Sequence, residues 1–332
     1  MLLYVIRRVL LTIPTLFIIS IVSFILIQLP PGDFLTSYAA NLAAMGEQIS
    51  GDMIKRMEEA YGLNQPVYIQ YWKWITGILL RGDFGLSLEW RLPVSQLIWD
   101  RMGLTLILTG FTLIFTWALA IPIGIYSATR QYSIGDYLFT TLGFIGVGIP
   151  GFMLALAVMW VAFANFGQDV AGLFSDQYKN APWSMGKVMD LLRHMWIPAL
   201  ILGLEGTAGL IRVMRANTLD ELHKPYVTAA RSRGIEERKM ILEYPVRVAL
   251  NPFVSTAGYA LPGLVNGAVI LSVVLSLPTA GQLLLRALFS QDMYLAGAFI
   301  LLLSTLTVIG TLISDLMLAW LDPRIRFEGG SR

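Results

Sequence analysis

Pro225-Tyr226-Val227-Thr228-Ala229-Ala230-Arg231-Ser232-Arg233-Gly234 lies inside a charged interval, 212–247, with strongly apolar segments on both sides of it. Pro225 at the start and Gly234 just past the end bracket a short helix. Tyr226, Ala229, Ala230 and Arg233 fall at i, i+3, i+4 and i+7, so they share one face with two alanines at its centre. Small side chains let another surface come close, Tyr226 offers a large anchor, and Arg231 and Arg233 offer polar contacts around it. The competing reading is a solvated basic loop beside anionic lipid. A second short helix is predicted next, with Glu236 and Glu237 at its start, Arg238 and Lys239 further on, and Pro245 ending it, a charge order that suits the helix dipole.

Outward from this interval the chain is apolar: 56% of its 332 residues are hydrophobic and 14% charged, with a mean hydropathy of +0.65. That balance predicts an all-α integral membrane protein. Windows of about 20 apolar residues fall at 9–29, 103–126, 137–163, 196–213, 253–277 and 294–320, predicting six transmembrane helices. The first window follows Arg7 and Arg8 and ends in Pro30-Pro31-Gly32 rather than at a small-residue cleavage site, so it reads as an uncleaved span. An even number of spans puts both termini on one side. Of the 24 lysines and arginines, 14 lie in the N-terminus, 127–136, 212–247 and the tail from 322, which predicts that this side is cytoplasmic. The chain then divides into 1–102, a first transmembrane helix with a large external loop, and 103–332, five further spans carrying the 212–247 loop.

Within the external loop, 52–60 has a helix-like polar pattern, Tyr61-Gly62-Leu63-Asn64-Gln65-Pro66 reads as a turn, and 67–80 is amphipathic with Tyr68, Tyr71, Trp72 and Trp74. Such a helix suits the membrane interface, or else contact with a delivered ligand or external partner. The third window is interrupted by Gly146, Gly148 and Pro150, the fifth by Pro262, Asn266 and Gly267. These positions fit either tight helix packing or a hinge along a pathway. Two carboxylates fall within spans. Asp315 is expected to pair with Arg212 or Arg215, while Glu205 suits an acid facing a cavity or an ion relay.

Several chemistries are excluded. A net charge of +2 with scattered basic residues gives no footprint for nucleic acid. The absence of cysteine removes disulfides and thiolate sites, and His194 and His223 are too far apart in sequence to suggest a metal site. Gly186-Lys187 lacks the rest of a phosphate-binding loop, and neither a nucleophile elbow nor an H-E-x-x-H pair is present. What remains is a conduit, a scaffold, or the membrane half of a machine driven from elsewhere. An ion-gradient secondary transporter stays open on Glu205 and the glycine-broken spans, and a non-transporting scaffold on the large loop.

The stretch from Tyr226 to Gly234, followed by Val246-Arg247-Val248-Ala249-Leu250-Asn251-Pro252, resembles the EAA loop of binding-protein-dependent ABC importer permeases. More narrowly, the chain is similar to the first permease of the dipeptide/oligopeptide importer family. The resemblance takes in Tyr4-Val5-Ile6-Arg7-Arg8, Pro30-Pro31-Gly32-Asp33, Arg81-Gly82-Asp83-Phe84-Gly85, Pro278 with Gly281, and Leu321-Asp322-Pro323-Arg324-Ile325-Arg326. It implies a type I importer permease of the bacterial inner membrane. Implied partners are a second related permease, two cytoplasmic ATP-binding subunits using ATP and Mg, an external solute-binding protein and membrane lipid; no cofactor is implied for this chain. Tyr226, Thr228, Ala229, Ala230, Arg231 and Gly234 would form the coupling helix seated in an ATPase groove. Thr228 and Ser272 stand where other members carry Glu, and Tyr244-Pro245 replaces a usual His-Ala pair. The implied solute is a small peptide or oligosaccharide, with nickel complexes and opine-like conjugates also carried in the family.

Overall fold

A backbone embedded in lipid must satisfy its own N–H and C=O groups, so apolar runs of bilayer length fold as helices. The computed structural model describes residues 2–28, 59, 65–87, 89–166, 171–290 and 292–321. Its helices are α1 (Leu2–Gln28), α2 (Val67–Arg81), α3 (Val94–Thr129), α4 (Ile134–Gly148), α5 (Gly151–Phe166), α6 (Asp176–Lys179), α7 (Met185–Leu222), α8 (Pro225–Ser232), α9 (Glu237–Glu243), α10 (Pro245–Ala249), α11 (Asn251–Val274), α12 (Ala280–Phe289) and α13 (Met293–Leu321). Strands β1 (Leu86–Ser87) and β2 (Leu92–Pro93) form one antiparallel hairpin. Among the described residues, α1, α3 and α13 are each long and apolar enough to cross a membrane. Counting the bent pairs α4–α5 and the two halves of α7 raises this to five. The fifth sequence window is the 24-residue α11.

The third window is two helices rather than one. Proline has no N–H for the helix ladder and pushes the residue before it out of helical geometry. Ile149 accordingly adopts φ −105°, ψ 121° and caps α4, and the Pro150 carbonyl accepts from the Met153 and Leu154 amides to start α5. The two axes meet at 102°. α7 has 38 residues, about 57 Å at 1.5 Å per residue, nearly twice the ~30 Å of a hydrocarbon core. It bends by 58° between Leu204 and Gly206.

The chain forms two compact units. One comprises Arg7–Thr105 and Thr279–Val308. Here α2 is amphipathic as its pattern predicts: Tyr71, Trp74 and Ile75 are buried against Phe24 and Leu301, while Tyr68, Trp72 and Leu79 are exposed. Tyr71 and Ser20 share a hydrogen bond of 2.8 Å. The expected polar helix at 52–60 and the start of the turn at 61–66 lie outside the described residues, apart from Glu59, Gln65 and Pro66.

The hairpin of this unit is held by Asp292, which is fully buried. Its carboxylate accepts from the Ser87 hydroxyl at 2.5 Å and from the Leu295 amide at 3.2 Å, so one side chain fastens β1 and caps α13. Asp292→Ala removes both functions and is expected to cost about 2–3 kcal/mol. Thermal unfolding in detergent checks this, and Asp292→Asn, which keeps an acceptor for the cap, is expected to lose less.

The other unit comprises Met1–Ile6, Leu106–Pro278 and Ile309–Arg332. Its core gathers Ala120, Ile211, Met214, Val246, Ala249 and Phe253 from α3, α7, α10 and α11. The segment before α7 is tied in by the Gly172 amide, 2.7 Å from the Leu275 carbonyl, and by Asp190, which accepts from the Ser175 amide at 2.8 Å and hydroxyl at 2.5 Å.

Candidate functional site

The first third of the charged interval continues α7, which runs unbroken to Leu222 before Lys224 turns the chain into α8. Pro225 occupies the first turn of α8, where a missing N–H costs nothing. The helix ends at Ser232, and Gly234 takes φ +74°, a left-handed conformation that a β-carbon would strain. α9 then starts after Glu236 as its charges predict. Pro245 does more than end it: it opens α10, which docks back on α7 through Val246 and Ala249.

α8 and α9 share a small core of Val227, Ala230 and Met240, each buried, where full burial of a side chain the size of Val or Met is worth about 2 kcal/mol. This corrects the sequence reading of the alanine pair. Ala230 points into the loop's own core, so only Ala229 is outward. The exposed surface carries Pro225, Thr228, Ala229, Arg231 and Ser232, with Tyr226 at its edge. Tyr226 also serves the loop itself. Its hydroxyl donates to Glu221 at the end of α7, and its ring centroid lies 6.4 Å from that of Tyr244. Burial, then the hydrogen bond to Glu221, raise the phenol pKa well above its ordinary value, so it remains a neutral donor. Arg231 forks onto Glu237 at 3.1 and 2.6 Å, joining α8 to the start of α9. Both groups are solvent-exposed, which limits what this link adds to stability.

The two arginines expected to pair with Asp315 engage other groups. Arg215 binds Asp136 at the start of α4, Nε to Oδ1 at 3.0 Å and Nη2 to Oδ2 at 2.9 Å. Arg212 lies over the Phe144 ring, 5.1 Å from its centroid. Asp136 also accepts from the Tyr132 amide at 3.0 Å, while Ser133 caps α4 by accepting from the Asp136 amide at 3.3 Å. The Ser127 hydroxyl lies beside the carboxylate without a well-aligned hydrogen bond. The two-pronged pair thus joins the start of α4 to the last turns of α7. Composition gave no hint of it, but Ser133-Ile134-Gly135-Asp136 carries a capping signature that marks the start of α4.

A cavity of about 500 Å³ opens beside the α4–α5 break, lined by Gly146, Ile149, Phe152, Ile201, Leu204 and Leu271 among others. Of the proposed pathway positions, Gly146 lines it and Pro150 makes the break; Gly148 has open space where a β-carbon would stand. Glu205, Pro262, Asn266 and Gly267 lie outside the residues whose side chains are described.

Comparison with known proteins identifies the fold and the family. A solved chain of the MetNI methionine ABC transporter in inward-facing conformations superposes with a TM-score of 0.51 at 17% identity, covering 68% of this chain and 97% of that one. That likeness shows that the two chains share a fold. The oligopeptide transport system permease protein AppB of Bacillus subtilis (strain 168) is 35% identical over 98% of this chain and 99% of its own length. The dipeptide transport system permease protein DppB of Alkalihalophilus pseudofirmus is 31% identical over 98% and 100%. The glutathione transport system permease protein GsiC of Escherichia coli (strain K12) is 31% identical over 99% and 100%. The family model for the binding-protein-dependent transport system inner membrane component matches residues 120–327, and that for the N-terminal part of such membrane components matches 1–109. With an importer-like helical fold and chain-long relatives of this kind, the chain belongs to the binding-protein-dependent transport system inner membrane components, as an ABC importer permease of the dipeptide/oligopeptide class.

Proposed function

We propose that this chain forms one half of a translocation pathway for short peptides, with a second related permease forming the other half. The observation that carries the reading is α8: a short helix with a small outward residue, Ala229, mounted on the end of the long α7. A projecting helix of this shape suits insertion into a groove of a soluble subunit. Two ATP-binding subunits, using ATP and Mg, would hold α8 on the cytoplasmic side through Tyr226, Thr228, Ala229, Arg231 and Gly234, with Ala230 supporting from beneath. Their closure would move α7 and the spans packed on it toward an outward-facing state.

In this reading α1, α3, α4–α5, α7, α11 and α13 are six spans with both termini cytoplasmic. Residues 1–102 hold the first span and the external loop, and 103–332 the core with the 212–247 loop. The pathway would follow the cavity beside Gly146, Gly148 and Pro150, with Glu205, Pro262, Asn266 and Gly267 along it. An external solute-binding protein would deliver the solute. The relatives described above are oligopeptide, dipeptide and glutathione permeases, which favours short peptides over oligosaccharides.

Uptake by membrane vesicles holding the assembled importer tests this directly. Accumulation is expected to stop when ATP is depleted while the ion gradient is kept. Uptake that persists under those conditions would place the chain among ion-driven carriers, and a deletion without effect on accumulation would make it a scaffold.

A further inference from the structure

We propose that the Asp136–Arg215 pair is a strut that carries displacement of α8 into the α4–α5 break, an inference that rests on the ATP-driven importer reading above. Arg215 lies on α7 about two turns before Leu222, on the last helical segment before α8. Asp136 lies in the first turn of α4, where a negative charge also favours the helix end. The carboxylate is only 5% exposed and the guanidinium 26%. Both carboxylate oxygens are engaged by two different guanidinium nitrogens, and a two-pronged contact fixes orientation as well as distance.

The remaining contacts between α4 and α7 are of another kind. Arg212 lies over Phe144, and elsewhere small and apolar surfaces meet, which can slide past one another by a shear motion. The ion pair resists such sliding. From Asp136, α4 runs on to Gly148, about 18 Å of stiff helix at 1.5 Å per residue. Its far end is the break at Ile149 and Pro150, where Gly146, Ile149 and Phe152 line the cavity. Displacement of α8 thus reaches the cavity wall through one charged contact and one rigid rod. Asp136 and Arg215 are positioning residues: they touch neither solute nor nucleotide.

The test uses the complete importer in proteoliposomes, with both permeases, the ATPase subunits and the binding protein loaded with a radiolabelled pool of short peptides. Import and ATP hydrolysis are measured in the same sample and expressed as peptide imported per ATP. D136N and R215Q are each expected to lower this ratio about tenfold while ATPase subunits still copurify, and the exchanged pair D136R/R215D to recover most of it. A merely structural role would lower assembly and leave the ratio alone. Where D136N fails to assemble, D136C/R215C carries the test in a chain that otherwise has no cysteine. A ratio that rises when the two thiols are bridged by a short bifunctional reagent supports the strut; one indifferent to bridging overturns it. Wild-type complex that fails to import with ATP would instead overturn the importer reading, whereas wild-type import with an unchanged ratio in D136N overturns the strut alone.

Discussion

Ala229→Trp is expected to reduce ATP-driven import at least ~30-fold, the loss that follows from removing a contact at the centre of an interface, while the permease itself stays folded. The side chain at 229 is outward on α8 and takes no part in the core of Val227, Ala230 and Met240. An indole there has room in the isolated chain. It has none once a partner surface lies against the helix, because the close approach depends on the methyl-sized side chain. The expected phenotype is therefore specific: normal thermal stability in detergent, ATPase subunits that no longer copurify, and no import. If A229W retains the subunits and transports, the outward face of α8 is not the docking surface.

Ala230→Trp supplies the contrast. Ala230 is 5% exposed beneath the same helix, between Val227 and Met240, which are fully buried. A large ring there cannot be accommodated without separating α8 from α9, at about 1–3 kcal/mol or more. Both variants lose import, but only A230W is expected to make residues 225–243 sensitive to proteolysis and rapid amide exchange. The two neighbouring alanines thus separate contact with a partner from support of the contacting helix.

Much of the helical layout was legible because its signals are local. Runs of apolar residues set the helices, Pro225 and Gly234 set the ends of α8, and the pattern of 67–80 marked α2 as amphipathic, although of its aromatics only Tyr71 and Trp74 are buried while Tyr68 and Trp72 are exposed. The orientation of α8 was less legible. Tyr226, Ala229, Ala230 and Arg233 make one face, but Val227 and Ala230 make a rival face, and the choice between them was settled by Met240 on the next helix. Pro150 announced an interruption; its size, 102°, depends on what α4 and α5 each pack against. The partner of Arg215 was the furthest from view. Depth in the membrane pointed to Asp315, whereas α4 folds against α7 and brings Asp136 from 79 positions away in sequence. No local pattern encodes that juxtaposition.

Gly124→Leu is expected to abolish recovery of the assembled protein, because Gly124 lets α3 and α7 come together at the level of the hub that carries α8. A β-carbon at 124 would stand 2.5 Å from Met214 Cβ, 2.8 Å from Met214 Cγ and 3.1 Å from the Ile211 carbonyl oxygen. Contacts to a β-carbon and a backbone oxygen cannot be relieved by a rotamer change, so the helices themselves must move apart. Met214 is fully buried and packs with Ala120, Val246 and Phe253, so that movement also disturbs the seat of α10 and with it the far end of the coupling loop. Even Gly124→Ala is expected to cost about 2–3 kcal/mol. The partner substitutions identify the clash. In a Met214→Ala background the cost of G124A should persist, since alanine keeps the offending β-carbon. In a Met214→Gly background it should fall below about 1 kcal/mol, the residue coming from the Ile211 carbonyl, and the difference between backgrounds is the coupling of the two positions. Thermal stability of the four combinations in detergent measures it. Equal costs in both backgrounds would mean that α3 and α7 are not in contact at Gly124 and Met214, and the hub joining the coupling loop to the spans would have to be placed elsewhere.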